Sequence, residues 1–274
     1  MGMIDRDRLG LVSGALMVAL ALVRLLDGPG RPLQLSVLGS PLGINLSATT
    51  LMLLIGVGLA ITGVESLLRH HSLAPQRELE RSVVFWILPA LWTLALGGWL
   101  SRIDELGLWA VVLAGAAVLI PLVLLVEYVA ASPPQTVGAG LLPWGQMILA
   151  HLAALLLFFL IYDAGLRSLL AGPAVMLLGT LLAARLFWDL TGRAIAPAFR
   201  YGVLVGLVLG LLTWFLDVVW PLSALRGALL LLLAFYVLVG LIQQYLTGRF
   251  GREVLLEYGA VSLVALLLVL FVVP

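Results

Sequence analysis

Ionisable side chains within apolar runs are the first candidates for function, because a charge at membrane depth is costly. Asp217 lies in the run Thr213–Trp220, near its end. A carboxylate there would suit uptake of a cation or a proton, while a salt bridge to an arginine is the structural alternative that the pattern favours. Glu127 lies near the end of another apolar run. At that depth its carboxylate can reach water or an arginine, which is the structural interpretation; coupling or gating is the functional alternative.

Two further candidates combine charge with helical spacing. Asp189 has Arg185 four residues before it and Arg193 four residues after it. On a helix this spacing puts all three on one face. It predicts a ladder of ion pairs at the membrane interface, with gating or substrate binding as the functional alternative. His151 is predicted to begin an apolar run; its imidazole could accept a proton near neutral pH, and a helix cap or an interface contact is the simpler interpretation.

Several kinds of chemistry are excluded by the residues that the chain lacks. It has no cysteine and no lysine, which excludes thiolate metal sites and Schiff-base cofactors. No nucleotide-binding, metalloprotease or haem pattern is present. We therefore predict no catalytic residue, no metal and no cofactor, and a non-enzyme is favoured while enzymatic activity stays open. A net charge of +1 gives no reason to expect a nucleic-acid partner.

The elements that must position these residues are apolar helices. Hydrophobic residues make up 63% of the chain and charged residues 11%, against about 45–50% and about 25% in soluble proteins. Lipid must therefore surround most of the surface. The sequence predicts an all-α bundle that forms one membrane domain over residues 1–274, with about nine spans of roughly 20 residues each. The fifth and sixth are short, so eight spans is the alternative. The predicted spans are 9–26, 48–68, 83–100, 108–131, 146–162, 174–190, 201–220, 228–246 and 254–273.

The arginines predict the orientation, because cytoplasmic loops are enriched in them. If the N-terminus is cytoplasmic, more arginines lie at inner span ends than at outer ones. The inner set is Arg6, Arg8, Arg69, Arg77, Arg81, Arg185, Arg193, Arg200, Arg249 and Arg252; the outer set is Arg24, Arg31, Arg102, Arg167 and Arg226. We predict a multi-pass protein of the inner (plasma) membrane with a cytoplasmic N-terminus and an external C-terminus.

Two loops have patterns of their own. Alternating apolar residues on both sides of Gly39-Ser40-Pro41 predict a β-hairpin-like outer loop at 32–47. An isolated hairpin is marginal in water, so we expect it to lie across the outer helix ends; a cap over an external cavity is the functional alternative. The inner loop at 69–82, called the basic loop below, could contact lipid headgroups or a protein partner. A solvated anchor is the simpler interpretation. The candidate residues of the basic loop are Arg69, His70, His71, Arg77 and Arg81.

Small residues predict one close helix contact. Gly202, Gly206 and Gly210 form a repeated G-x-x-x-G in the seventh span. Glycines at this spacing let two membrane helices approach closely. We interpret them as packing residues.

One segment carries a resemblance. Phe85-Trp86-Ile87-Leu88-Pro89-Ala90-Leu91 follows the basic loop and an apolar helix with Glu65 near its end. This order resembles an uncharacterised bacterial family of multi-spanning membrane proteins, a domain of unknown function, over roughly residues 30–105. The resemblance implies a bacterial inner membrane and no particular activity.

Three classes of function remain open. Short loops and scarce buried charge favour a non-enzymatic scaffold or a subunit of a membrane assembly, with membrane lipids and a membrane protein or a second copy of the chain as partners. A small transporter or channel-like protein is the second class, and a lipid-modifying membrane enzyme is the third. A wet cavity lined by Asp217 or Glu127 would support transport, and a solid bundle with a broad apolar flank would support a subunit.

Overall fold

The computed structural model describes residues 6–26, 31–37, 40–70, 82–132, 142–165, 168–220 and 222–271. Within these residues, nine helices are long and apolar enough to cross a membrane, so the prediction of nine spans is confirmed by length and composition. The helices are α1 (Arg6–Leu25), α2 (Ala48–Arg69), α3 (Val83–Leu100), α4 (Leu106–Ala130), α5 (Leu142–Asp163), α6 (Ser168–Phe187), α7 (Ile195–Val219), α8 (Ala224–Leu246) and α9 (Arg252–Phe271).

Helices α5, α6, α7 and α8 all begin at least one helical turn earlier than the hydrophobic pattern predicts. Helix α5 starts at Leu142 and has 22 residues, and α6 starts at Ser168 and has 20. The predicted break at 172–173 is wrong, because Pro173 lies inside α6. Membrane helices tolerate an internal proline when neighbouring groups satisfy the freed backbone. Both α5 and α6 are long enough to span, which removes the reason for an eight-span alternative.

A pair of strands precedes α2. Strand β1 (Arg31–Val37) pairs antiparallel with β2 (Ser40–Leu46). The next residue, Ser47, caps α2, since its Oγ accepts a hydrogen bond from the Thr50 amide at 3.1 Å. This bond satisfies one of the amides that a helix start leaves without an intrahelical acceptor. The two strands are therefore joined to α2 by a single capping residue.

The chain divides into two compact units, Met1–Leu142 and Pro143–Pro274. The single domain predicted over residues 1–274 stays a prediction. In the first unit, α1 turns Val12, Leu16 and Leu20 inward. Gly63 of α2 lies against Val12 so closely that a Cβ on the glycine would be 2.5 Å from a Val12 methyl group. Apolar burial and one close glycine contact thus hold α1 against α2.

The second unit is built around the contact between α6 and α7. A Cβ on Gly202 would lie 2.6 Å from the Thr180 carbonyl oxygen, and one on Gly210 would lie 3.0 Å from the Gly172 carbonyl oxygen. A Cβ on Gly206 would collide with the Met176 carbonyl oxygen. All three glycines of the G-x-x-x-G repeat therefore face the α6 backbone, where no larger side chain fits.

Helix α9 lies at the edge of the second unit. It packs on α8, where the ring of Tyr258 occupies the space beside Gly240 that a Cβ would need. Tyr258 also contacts the ring of Tyr236, with centroids 5.6 Å apart. Of the 20 residues of α9, only Val269 is buried. The helix is therefore anchored mainly through one tyrosine.

Candidate functional site

Asp217 is half-buried near the end of α7. Its carboxylate is close enough to Tyr162 of α5 to interact with it electrostatically. The Tyr162 ring fills the space beside Gly227 at the start of α8, where a Cβ would come within 2.7 Å of it. The Tyr162 hydroxyl is buried and has no hydrogen-bond partner in the described part of the chain. Asp217 therefore stands beside a packed contact of α5, α7 and α8.

Glu127 is more deeply buried than its place in the sequence suggests. It lies on α4 with 1% of its surface exposed. The sequence predicted that this carboxylate reaches water or an arginine. The prediction of contact with water is wrong, because the side chain is buried. The adjoining residue, Tyr128, is also buried, so the last turns of α4 pack inside the protein.

The predicted ion pairs around Asp189 form, but in a turn rather than on a helix. Its carboxylate is 3.2 Å from Arg193 and 3.8 Å from Arg185. Helix α6 ends at Phe187, so the expectation of one continuous helix face is wrong. The chain reverses after Asp189, with positive φ angles at Gly192 (64°) and Arg193 (58°). A local turn, rather than a continuous helix face, brings Arg193 to the carboxylate.

His151 lies in the third turn of α5, so the interpretation as a helix start or cap is wrong. The reason is that α5 begins at Leu142. The Nδ1 of His151 is 2.7 Å from the Met147 carbonyl oxygen. Since a carbonyl oxygen only accepts, Nδ1 donates and Nε2 carries the lone pair. The ring packs against Phe235 and Tyr236 of α8, with centroids 5.1 and 5.9 Å away.

The basic loop is described only at its start. Arg69 pairs with Glu65 at 2.7 Å, and His70 Nδ1 donates to the Ser66 carbonyl oxygen at 2.9 Å. His71, Arg77 and Arg81 lie outside the described residues. Among the described residues, no group of three or more histidine and acidic side chains is arranged to hold a metal ion.

A cavity in the second unit gathers polar residues from α5, from α8 and from the segments that follow α6 and α8. Its volume is about 370 Å³, within the range of small-molecule sites. It lies where α5 begins and where α6 and α8 end, the inner face in the predicted topology. We call it the Gln146 pocket, and its polar residues are Gln146, Asp189, Gln243, Gln244, Thr247 and Arg249. Its apolar walls include Trp144, Met147, Leu186 and Leu190.

Two polar groups of the Gln146 pocket have unused hydrogen-bonding capacity. Gln146 is 5% exposed, and its buried Nε2 has no hydrogen-bond partner in the described part of the chain. A buried donor without an acceptor costs about 1–3 kcal/mol. Arg249 lines the same cavity, and its guanidinium pairs with no described carboxylate, while its backbone amide donates to the Gln244 carbonyl oxygen at 2.9 Å. The pocket therefore offers donors for which the described residues supply no acceptor.

Sequence reasoning did not identify Gln146, Thr247 or Arg249 as site residues. One feature of the sequence could have pointed to this pocket. Gln146 starts one predicted span, and Gln243 and Gln244 lie at the end of another on the same side of the membrane. That coincidence indicates a common level in the membrane, but not that α5 and α8 are neighbours.

Comparison with known proteins gives a family without an activity. The model of one protein family, described as a protein of unknown function, matches residues 28–272. No curated protein and no solved structure matches the chain.

Proposed function

Because the chain belongs to the DUF5656 family, whose function is unknown, we propose its function from its own residues: it is a non-enzymatic subunit or scaffold of a membrane assembly. Nine helices among the described residues are long and apolar enough to cross a membrane, which supports a membrane protein. Two acidic residues that the structure describes form ion pairs with arginines: Glu65 in the last turns of α2, and Asp189 just beyond the end of α6.

The observation that carries the proposal is an uncovered glycine pair on α1. Gly10 and Gly14 lie on the face opposite Val12 and Leu16, and a Cβ on either would meet no atom within 4 Å. Glycine inside a helix costs roughly 1 kcal/mol relative to alanine. Packing among the described residues gives no reason for this cost. Small residues four apart are the feature that lets a second membrane helix approach.

The same proposal includes orientation and surroundings. We place the N-terminus in the cytoplasm and the C-terminus outside a bacterial inner membrane, with the strand pair over the outer helix ends. The basic residues at the inner end of α2 and in the loop after it contact lipid headgroups. The partner is a membrane protein or a second copy of this chain.

Transport has less support than a subunit role. The condition for it was a cavity lined by Asp217 or Glu127, and the Gln146 pocket is lined by neither. Asp189 does line it, but that carboxylate is engaged by two arginines. No described arrangement favours the lipid-modifying enzyme.

The test is purification of the full chain with its surrounding lipid in a polymer belt, without detergent, followed by mass spectrometry and mass photometry. We expect a complex larger than one chain that is lost in Gly14→Leu. Gly115→Leu is the matched control, because Gly115 on α4 is also open but has no glycine partner four residues away. A monomer in the wild type, or equal loss in both variants, would refute the proposal.

The orientation is tested separately with reporters fused after Pro274. A reporter active only outside the cytoplasm should work there, and a cytoplasmic one should not. The opposite result would overturn the nine-span arrangement with a cytoplasmic N-terminus.

A further inference from the structure

We propose that the Gln146 pocket binds the phosphate headgroup of an anionic glycerophospholipid. This site lies in the second unit, apart from the α1 face on which the subunit proposal rests. The inference therefore stands or falls independently of that proposal.

The charges of the pocket favour an anion. Its one carboxylate, Asp189, lies within 4 Å of two guanidinium groups. Arg249 adds a positive charge that no described carboxylate compensates. The first turn of α5, which includes Pro143 and Trp144, lies at the same wall. A helix start presents amides without intrahelical acceptors and a partial positive charge, both of which stabilise a phosphate.

The buried amide makes this a built site rather than a basic surface. Gln146 lines the cavity and is only 5% exposed. Its side-chain Nε2 has no hydrogen-bond partner among the described residues. That nitrogen is itself covered, so an acceptor oxygen from a ligand would satisfy the donor once the Gln146 side chain turns toward the cavity. The Gln243 amide adds a group that can bind hydroxyls. The Thr247 hydroxyl donates to the Gln243 carbonyl oxygen and keeps a lone pair with which it can accept a bond, and the Gln244 side chain is already hydrogen-bonded to Tyr258. Phosphate oxygens beside glycerol hydroxyls match this combination.

The apolar walls favour a lipid over a free anion. Trp144 is 65% exposed and Leu190 is 39% exposed at the cavity. Met147 and Leu186 continue the apolar lining. Tryptophan is enriched at the headgroup level of membranes. A ligand with a phosphate, hydroxyls and acyl chains would contact every kind of lining group, whereas inorganic phosphate would leave the apolar wall uncovered.

The experiment measures lipid binding to the full chain by native mass spectrometry. Purified protein is titrated with phosphatidylglycerol or phosphatidylcholine, and inorganic phosphate is added as a competitor in a third arm. We expect preferential binding of one phosphatidylglycerol, not displaced by millimolar phosphate. Arg249→Gln should weaken that binding about tenfold, the order expected for one charge-assisted hydrogen bond. Gln146→Glu should weaken it further by repulsion.

Arg252→Gln is the matched control, because Arg252 is an exposed arginine three residues away that does not line the pocket. It should bind phosphatidylglycerol as the wild type does. Equal weakening by Arg252→Gln, or equal binding of the two lipids, would overturn the proposal. Complete displacement by inorganic phosphate would show a free-anion site and would overturn the assignment to a lipid. Arg249 is exposed, so Arg249→Gln should not disturb folding. It therefore tests lipid binding even if Gln146→Glu does not fold.

Discussion

Trp86 of α3 donates its indole Nε1–H to Glu65 Oε2 of α2, at 3.1 Å. The other carboxylate oxygen, Oε1, is 2.7 Å from Arg69 Nε. The carboxylate of Glu65 thus connects the end of α2 to α3. The side chain of Glu65 is 22% exposed and that of Arg69 is 71% exposed, so the bond to Trp86 is the better shielded of the two.

This relationship predicts a measurable coupling between Glu65 and Trp86. Glu65→Leu should lower the free energy of unfolding by about 1–2 kcal/mol, because a partly buried indole donor loses its acceptor. Trp86→Phe removes the donor, and the double variant should show a coupling of about 1 kcal/mol. Unfolding in sodium dodecyl sulfate, followed by circular dichroism, measures all four proteins. Additive effects of the two changes would show that the hydrogen bond contributes nothing to stability.

A second prediction concerns the closest helix contact. Gly206→Ala should lower the free energy of unfolding by about 1–3 kcal/mol, because the added methyl group meets the α6 backbone at Met176 and Thr180. Gly259→Ala is the control: Gly259 of α9 has open space around it, so its variant should be unchanged or slightly more stable. Thermal unfolding followed by size-exclusion chromatography compares the two. Equal stability of both variants would contradict the packing role.

A third prediction separates the shape of His151 from its polarity. His151→Phe keeps the ring contacts with Phe235 and Tyr236 and removes the buried Nε2, which has no described hydrogen-bond partner. Its stability should equal or exceed that of the wild type. His151→Ala leaves a cavity and should cost about 2–4 kcal/mol. The same denaturation assay distinguishes them, and a large loss in the Phe variant would mean that Nε2 binds a group essential to the fold.

A fourth prediction concerns the attachment of α9. Gly240→Leu should displace Tyr258, because its ring occupies the space that a side chain at position 240 would need. Amide hydrogen exchange across residues 252–258, measured by mass spectrometry, should become faster as the helix start loosens. Gly259→Leu adds the same bulk on the open side of α9 and should leave exchange unchanged. Faster exchange in both variants would point to bulk itself rather than to the Tyr258 contact.

The helices and their main packing motif follow from the sequence alone. In lipid each span must satisfy its backbone hydrogen bonds within itself, so the length of an apolar run is enough to predict a helix. The G-x-x-x-G repeat is equally local, since four-residue spacing puts Gly202, Gly206 and Gly210 on one face. The starts of α5 to α8 were predicted less well; at α6 the reason is that Pro173 reads as a break in sequence and is accommodated inside the helix.

Only the tertiary structure decided which helix ends meet. Gln146, Asp189 and Gln243 are far apart in sequence, and no periodicity states that α5, α6 and α8 surround one cavity. The same holds for the burial of Glu127 and for the hydrogen bond between Glu65 and Trp86. Lipid gives every apolar face the same favourable surroundings, so hydrophobicity sets the spans but not their neighbours. Close packing and polar contacts between particular side chains make that choice.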